Sequence, residues 1–152
     1  MSGIIVGVDG SDHSRRALNW AIGEAAVRHA PLTVLIVQPA IAGYSGSAVA
    51  YPGDAARAEE ARKAAQEETD LALAQLGGPG PESVTVQAAI GIPAAVLIDV
   101  SRDADLVVVG SRGSGGFSQL ILGSVSSQVT HHAHCPVVVI PDKDRGRRPP
   151  AD

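Results

Sequence analysis

The sequence predicts an α/β domain in which a doubly wound, five-stranded parallel sheet carries helices on both faces. Short aliphatic runs alternate along the chain with longer segments of helical periodicity, which is typical of this architecture. Two of the runs, Ile4–Val8 and Leu106–Val109, are almost entirely apolar, as in strands buried on both sides. The 152 residues are 45% apolar and 3% aromatic, so one domain with an aliphatic core is expected.

The first strand and the first helix occupy the amino-terminal part of the chain. Ile4–Val8 is a β-branched run that turn-forming residues follow. Ser11 or Asp12 can cap the helix that comes next. Apolar residues then recur at helical spacing until Pro31 stops the pattern. These residues are Leu18, Ala21, Ile22 and Ala25.

A second strand and a long helix are predicted on either side of a loop. The strand covers Leu32–Val37 and is ended by Pro39. Residues 40–53 are rich in Gly, Ala and Ser, and no element is predicted inside them. Helix-forming residues dominate from Ala55 to Leu76. The face predicted to be buried consists of Ala61, Ala65, Ala72 and Leu76.

The third strand follows a loop of glycines and prolines at residues 77–81. Apolar and polar or small residues alternate in this strand, which indicates a position at or near a sheet edge. The apolar positions are Val84, Val86, Ala88 and Ile90. Pro93 then begins a helix, and its predicted inner face consists of Ala94, Leu97 and Ile98.

The last two strands are predicted at Leu106–Val109 and Val137–Ile140. A helix is expected between them, because Val125, Val129 and Ala133 repeat at helical spacing. Residues 142–152 form a short basic segment that we expect to be disordered. The domain is therefore predicted to span residues 1–141.

Composition and charge argue against several classes of protein. The net charge of −4 and the scarcity of aromatic residues disfavour a nucleic-acid-binding protein. No apolar run approaches the ~20 residues of a membrane span, and no secretory signal is recognisable. The single cysteine, Cys135, cannot form an internal disulfide, which fits a reducing compartment. We expect a cytoplasmic protein with neither nucleic acid nor a membrane as its partner.

A glycine-rich segment between the fourth strand and the last helix points to a ligand. Gly110 and Gly113 are followed, after nine intervening residues, by Gly123 and Ser124. Glycines let the main chain come close to a phosphate, and the N–H groups and dipole of a helix start attract anions. If the strand order is 3-2-1-4-5, the winding reverses between strands one and four, which places Asp9 beside Gly110. The sequence thus predicts a site for a phosphorylated ligand at this crevice.

These segments together resemble the universal stress protein family. The resemblance rests on Val8–Ser11, Val109–Gly113, Gly116-Phe117, Leu122–Ser126 and His131–Ile140. The pattern Gly-x2-Gly-x9-Gly-[Ser/Thr] is intact and resembles the branch of the family that binds ATP. The resemblance implies a Rossmann-like fold of the adenine nucleotide alpha hydrolase type. It also implies a homodimer paired through Val137–Ile140. The implied ligand is ATP, with or without Mg²⁺. The implied role is that of a regulatory or stress-response protein that acts on an unknown protein partner.

Carried onto this sequence, the resemblance also implies roles for individual residues. Gly7 and Val8 would form part of the adenosine pocket, and Val37 would meet adenine through its main chain. Asp9 would lie at the ribose or adenine end, where a carboxylate can accept bonds from both ribose hydroxyls. Val109 and Gly110 would lie along the ribose. The residues expected around the phosphates are Arg112, Gly113, Gly123, Ser124, Val125 and Ser126.

Structural alternatives stay open for several of these residues. Asp9 could simply cap the first helix, because Asp is a common N-cap. Gly110 and Gly113 could be ordinary turn glycines, and Arg112 could be a solvated loop charge. No metal site is predicted from the histidines at positions 131, 132 and 134, because a fourth ligand is missing and a helix C-terminus favours His by itself.

Functional alternatives also stay open. The chain has no P-loop, no Gly-x-Gly-x-x-Gly after strand one, and no Ser-Gly-Gly-x-Asp-Ser loop of the kind found in ATP pyrophosphatases. We therefore expect a binding protein rather than an enzyme, with slow ATP hydrolysis at most. A sensor of another adenine nucleotide, such as cyclic AMP, is an alternative. An interaction module built on the apolar edge at Val137–Ile140 is another.

Overall fold

Five parallel strands form one sheet in the computed structural model, which describes residues 3–39, 41–42, 48–49, 52–112 and 123–141. The strands of this sheet are β1 (Ile4–Val8), β2 (Pro31–Pro39), β5 (Ser83–Gly91), β6 (Leu106–Gly110) and β7 (Val137–Ile140). Their order is β5-β2-β1-β6-β7, and every neighbouring pair is parallel. When only the five strands of this sheet are numbered along the chain, their order is 3-2-1-4-5, as predicted. The predicted fold is confirmed.

Four helices and one small ribbon complete the described part of the chain. The helices are α1 (Asp12–Arg28), α2 (Asp54–Ala74), α3 (Pro93–Val100) and α4 (Ser124–His132). A short 3-10 turn, Ser101–Asp103, follows α3. The ribbon pairs β3 (Ile41–Ala42) with β4 (Ala48–Val49) in antiparallel fashion, inside the segment for which no element was predicted. Gly113 and the predicted basic segment, residues 142–152, lie outside the described residues.

Strand β2 extends further than the sequence predicts. Its pairing with β1 ends at Ile36, whereas its pairing with β5 continues to Pro39. A proline is tolerated there because one side of the strand no longer needs a ladder N–H. The extension places Gln38 and Pro39 beyond the end of β1.

Two apolar clusters pack on opposite faces of the sheet. The first joins α1 and Ala65 of α2 to residues such as Val6 and Val108, and the second joins α3 and α4 to residues such as Val107. Consecutive residues of β6 thus point to opposite faces, and Leu106–Val109 is buried throughout. This confirms the interpretation of that apolar run as a strand covered on both sides.

Helix α1 is capped by Ser11, one of the two residues predicted as possible caps. The Ser11 side chain accepts a hydrogen bond from the Ser14 N–H, which satisfies one of the N–H groups left unpaired at a helix start. Asp12 is already the first helical residue. The predicted inner face of α1 is buried, at Leu18, Ala21, Ile22 and Ala25.

Strands β5 and β7 form the two edges of the sheet. The predicted edge character of β5 is confirmed, and exposed residues of this strand include Thr85 and Gln87. Strand β7 differs, because all four of its residues are aliphatic and half-buried. The β5 edge therefore exposes polar side chains, whereas the β7 edge is aliphatic.

Candidate functional site

A cavity of about 560 Å³ opens at the carboxyl ends of β1, β2 and β6. The order of the strands reverses here, because β1 has β2 on one side and β6 on the other. Ligands of open α/β sheets bind at this kind of switch point. The predicted site residues that line the cavity are Gly7, Val8, Asp9, Val37, Val109, Gly110, Arg112, Gly123, Ser124, Val125 and Ser126. The remaining predicted residue, Gly113, is not among the described residues.

The cavity also has walls that the sequence prediction missed. Strand β2 contributes Leu35, Ile36, Gln38 and Pro39, and the helices contribute Ser14, Ala61, Pro93 and Leu97. Gln38 and Pro39 could have been predicted by applying to the second strand the same argument that ligands bind at strand ends. The others look like ordinary helix or core residues in the sequence, and only the winding of the chain brings them to one place.

The turn after β1 is held by a small network of hydrogen bonds around Asp9. One carboxylate oxygen, Oδ1, accepts a bond from the Ser11 N–H at 2.9 Å and another from the Ser11 hydroxyl. The Asp9 N–H donates to the Oγ atom of Ser14, which is 4% exposed. Asp9 therefore supports the helix cap without being the cap, and its exposed side chain stays at the cavity.

Gly110 is required by a close approach of protein main chain. A Cβ atom at this position would lie 2.9 Å from the carbonyl oxygen of His13, in the first turn of α1. Its backbone is not left-handed, since the described glycines with positive φ are Gly10, Gly53 and Gly78. At Gly110 the reason for a glycine that the structure shows is therefore this close packing, and not a left-handed turn conformation.

Gly7 has a similar packing role on the other face of the sheet. A Cβ atom there would lie 3.1 Å from both terminal methyl carbons of Leu97. Leu97 is buried in the second apolar cluster and also lines the cavity. The absence of a side chain at position 7 thus lets α3 pack close to the sheet beside the site.

The amino terminus of α4 forms the polar end of the cavity. Gly123 is the N-cap residue and provides no side chain to bond the first turn, and the first helical bond runs from the Ser127 N–H to the Gly123 carbonyl. The N–H groups of Ser124, Val125 and Ser126 consequently have no partner within the helix. Together with the helix dipole, they create a partial positive charge that suits an anion.

Ser126 is buried, whereas Ser124 is exposed. The Ser126 hydroxyl lies 3.0 Å from the carbonyl oxygen of Ser111 and 3.1 Å from that of Gly123. The Ser111 carbonyl also accepts the Gly123 N–H, with an N···O distance of 2.6 Å. The end of β6 and the start of α4 are thereby joined directly. Arg112, half-buried, supplies a cation to the cavity wall next to this junction.

Histidine and cysteine side chains elsewhere are weak candidates for a second chemical site. Among the residues that the structure describes, no three His, Cys, Asp or Glu side chains are grouped so that they could hold a metal ion. Burial raises the pKa of the Cys135 thiol above its ordinary value, which keeps it in the less reactive protonated form. No helix in the described part of the chain is long and apolar enough to cross a bilayer.

Comparisons with known proteins agree with this architecture. The family model for the universal stress protein family matches residues 1–141. A universal stress protein of Mycobacterium tuberculosis is 39% identical over 150 residues, which cover 93% of this chain and 48% of the relative. The chain spans about half the length of the curated relatives it matches.

Solved structures of universal stress proteins have the same fold. The structure of UspA from Lactobacillus plantarum has a TM-score of 0.75 and 27% identity, and the match covers 91% of this chain and 97% of that one. A universal stress protein solved in complex with cAMP has a TM-score of 0.65 and 25% identity, and the match covers 92% and 96%. The family model, the relatives and the sheet order lead to one conclusion: this chain belongs to the universal stress protein family.

Proposed function

We propose that this chain binds an adenine nucleotide, with ATP as its main ligand, and that it acts as a nucleotide-dependent regulatory protein. The observation that carries the proposal is the cavity between the ends of β1 and β6, with the N–H groups of α4 at its polar end. Its volume of about 560 Å³ is in the usual range for a small-molecule site.

The walls of the cavity suit the three parts of a nucleotide. Leu35, Val37 and Leu97 offer apolar surface for a base, and the β2 main chain can supply hydrogen bonds to its edge. Asp9 can accept bonds from ribose hydroxyls, because a carboxylate oxygen accepts more than one. The first turn of α4 suits phosphate. A universal stress protein of known structure binds cAMP, which supports an adenine nucleotide here as well.

The pattern from Gly110 to Ser124 favours ATP over nucleotides with fewer phosphates. Several main-chain N–H groups at the start of α4 line this end of the cavity together with the cationic Arg112 side chain, which is more than a single phosphate needs. Mg²⁺ could accompany the triphosphate as part of the ligand. The glycine spacing is the feature of this sequence that resembles the ATP-binding branch of the family.

Binding rather than catalysis is proposed as the activity. Among the described residues that line the cavity, Asp9 is the only carboxylate, and it lies in the turn after β1 and not at the start of α4. A general base must reach the proton that it removes, so Asp9 is poorly placed to activate water at a terminal phosphate. We expect ATP turnover below ~1 per second, the lower end of ordinary enzyme rates. Faster release of inorganic phosphate by the purified protein would contradict this.

We further propose that two copies of the chain pair through β7. This strand is the apolar edge of the sheet, and unpaired edges of this kind invite pairing with another chain. A nucleotide-loaded dimer would then be the form that a protein partner recognises. The cytoplasmic location of this chain stays a prediction.

Isothermal titration with ATP, adenosine and cAMP tests the nucleotide proposal. We expect ATP to bind with measurable heat and to raise the melting temperature. Absence of both effects for all three ligands would refute the proposal.

Two matched variants test the orientation of the ligand. Ser124→Glu places a negative charge at the anion end of the cavity and should weaken ATP at least about tenfold, by charge repulsion, but adenosine much less. The control is Gln128→Glu, one turn further along α4 and outside the cavity lining. A similar loss of ATP affinity in both variants would contradict the proposed position of the phosphates.

A further inference from the structure

Ser111 lies where the candidate site, the central sheet and the edge strand meet. It is 1% exposed, and its N–H donates to the carbonyl of Ile140, the last residue of β7, at 2.9 Å. Its carbonyl accepts the Gly123 N–H. The end of β6 and the start of α4 therefore meet at Ser111, and these contacts hold the first turn of α4 in position.

The hydroxyl of Ser126 is committed to this junction. A serine hydroxyl has one proton, and here it is shared between the carbonyl oxygens of Ser111 and Gly123. An ionised phosphate oxygen only accepts hydrogen bonds, so the hydroxyl could serve it only by giving up both carbonyls. Because Ser126 is 2% and Ser111 is 1% exposed, the Ser111 carbonyl would lose a partner that water does not readily replace.

We propose that Ser126 is a positioning residue for the nucleotide and does not bind phosphate through its side chain. Its hydroxyl holds the first turn of α4 against the end of β6, and the main-chain N–H groups of that turn are thereby aimed into the cavity. The functional part of this inference rests on the proposed nucleotide binding. The structural part concerns the protein without ligand and can be tested separately.

Amide hydrogen exchange in the nucleotide-free protein tests the structural part. In Ser126→Ala the Gly123 amide should exchange about five-fold faster than in the wild type, because one of the bonds that hold the junction is lost. Ser126→Thr keeps the hydroxyl and should restore the protection of that amide. Gln128→Ala, at an exposed position of α4 outside the cavity lining, should leave the exchange of Gly123 at the wild-type rate.

Titration of the same proteins with ATP and adenosine tests the functional part. Ser126→Ala should weaken ATP about five-fold more than it weakens adenosine, since only the phosphate end depends on the junction. Ser126→Thr should recover the ATP affinity. A melting curve of each variant confirms that it is folded.

The possible results separate the two proposals. If Ser126→Ala weakens ATP while the Gly123 amide stays fully protected, the hydroxyl contacts phosphate directly and the positioning role is refuted. If exchange accelerates while the affinity for ATP is unchanged, the junction has no effect on binding and the positioning role is equally refuted. Failure of the wild-type protein to bind any nucleotide would refute the proposed function itself, whatever the exchange experiment shows.

Discussion

Asp9 shows how one side chain can take part in both folding and binding. Its Oδ1 atom accepts two hydrogen bonds from Ser11, the residue that caps α1, and the side chain also lines the cavity. The sequence left open whether Asp9 caps the helix or faces a ligand. The structure gives the capping role to Ser11 and leaves the ribose contact as a prediction.

Replacement of Asp9 by Asn should separate these two roles. An amide oxygen can still accept from the Ser11 N–H, so the turn should keep its shape. The charged acceptor for the ribose is lost, however, and ATP affinity should fall about tenfold, the usual scale for a bond to a charged group. Binding of 2′,3′-dideoxy-ATP should fall much less, because it lacks the hydroxyls. Isothermal titration with both nucleotides measures the difference.

The control for this prediction is Asp12→Asn. The Asp12 side chain is 92% exposed, pairs only loosely with Arg15 at 3.5 Å, and does not line the cavity. Removal of its charge should change the affinity for ATP by less than about twofold, because exposed charges interact weakly. Equal effects of the two substitutions on ATP and dideoxy-ATP would contradict a ribose contact by Asp9.

At the scale of elements, the end of β6 and the start of α1 pack so closely that a side chain cannot fit between them. Gly110 ends β6, and the His13 carbonyl oxygen lies only 2.9 Å from the position that its Cβ atom would take. A larger residue would have to push the turn after β1 away from the sheet. That displacement would reach the cavity, since both segments line it.

Gly110→Ala should therefore destabilise the protein even without nucleotide. The Cβ–O distance of 2.9 Å is too short, and relief of such overpacking costs about 1 to 3 kcal/mol. Gly23→Ala is the matched control, because it lies inside α1 and its Cβ atom would meet no atom within 4 Å. This control should gain about 0.5 to 1 kcal/mol from helix propensity. Urea unfolding of both variants should show shifts of opposite sign, and a neutral Gly110→Ala would contradict the packing argument.

Periodicity made most of the elements predictable. The continuous apolar runs predicted β1 and β7 with the bounds that the structure shows, and α1 was predicted from its helical apolar spacing. The ribbon of β3 and β4 was missed because each strand has two residues, too few for a pattern to emerge. Ala61 and Leu97 were missed as cavity walls for another reason, namely that a helix residue beside a ligand and one inside a core have the same sequence signature.

At the scale of the whole molecule, the two sheet edges are built differently. β5 exposes polar residues such as Thr85 and Gln87, whereas β7 is uniformly aliphatic. Polar edges discourage pairing with other chains. The asymmetry favours β7 as the edge through which two copies associate.

Main-chain geometry shows which groups of β7 are available for this pairing. The carbonyl of Pro136 accepts a bond from the Val107 N–H in β6, and that of Ile140 accepts one from the N–H of Ser111, directly after β6. Because successive residues of a strand face opposite sides, Val138 also faces β6, and the N–H and C=O groups of Val137 and Val139 point to the open edge. Pairing across a two-fold axis would use those outward groups.

Val139→Pro should therefore convert a dimer into a monomer without unfolding it. Proline removes an outward N–H but none from the ladder with β6, which is the position where strands tolerate it. Val139→Ala keeps the N–H and should remain dimeric, which controls for the lost side chain. Val138→Pro removes an inward N–H and should unfold the domain, because interior proline breaks a ladder. Sedimentation velocity at micromolar concentration, with a melting curve for each variant, distinguishes these outcomes. A monomeric wild type would rule out pairing through β7, and so would a Val139→Pro protein that stays dimeric.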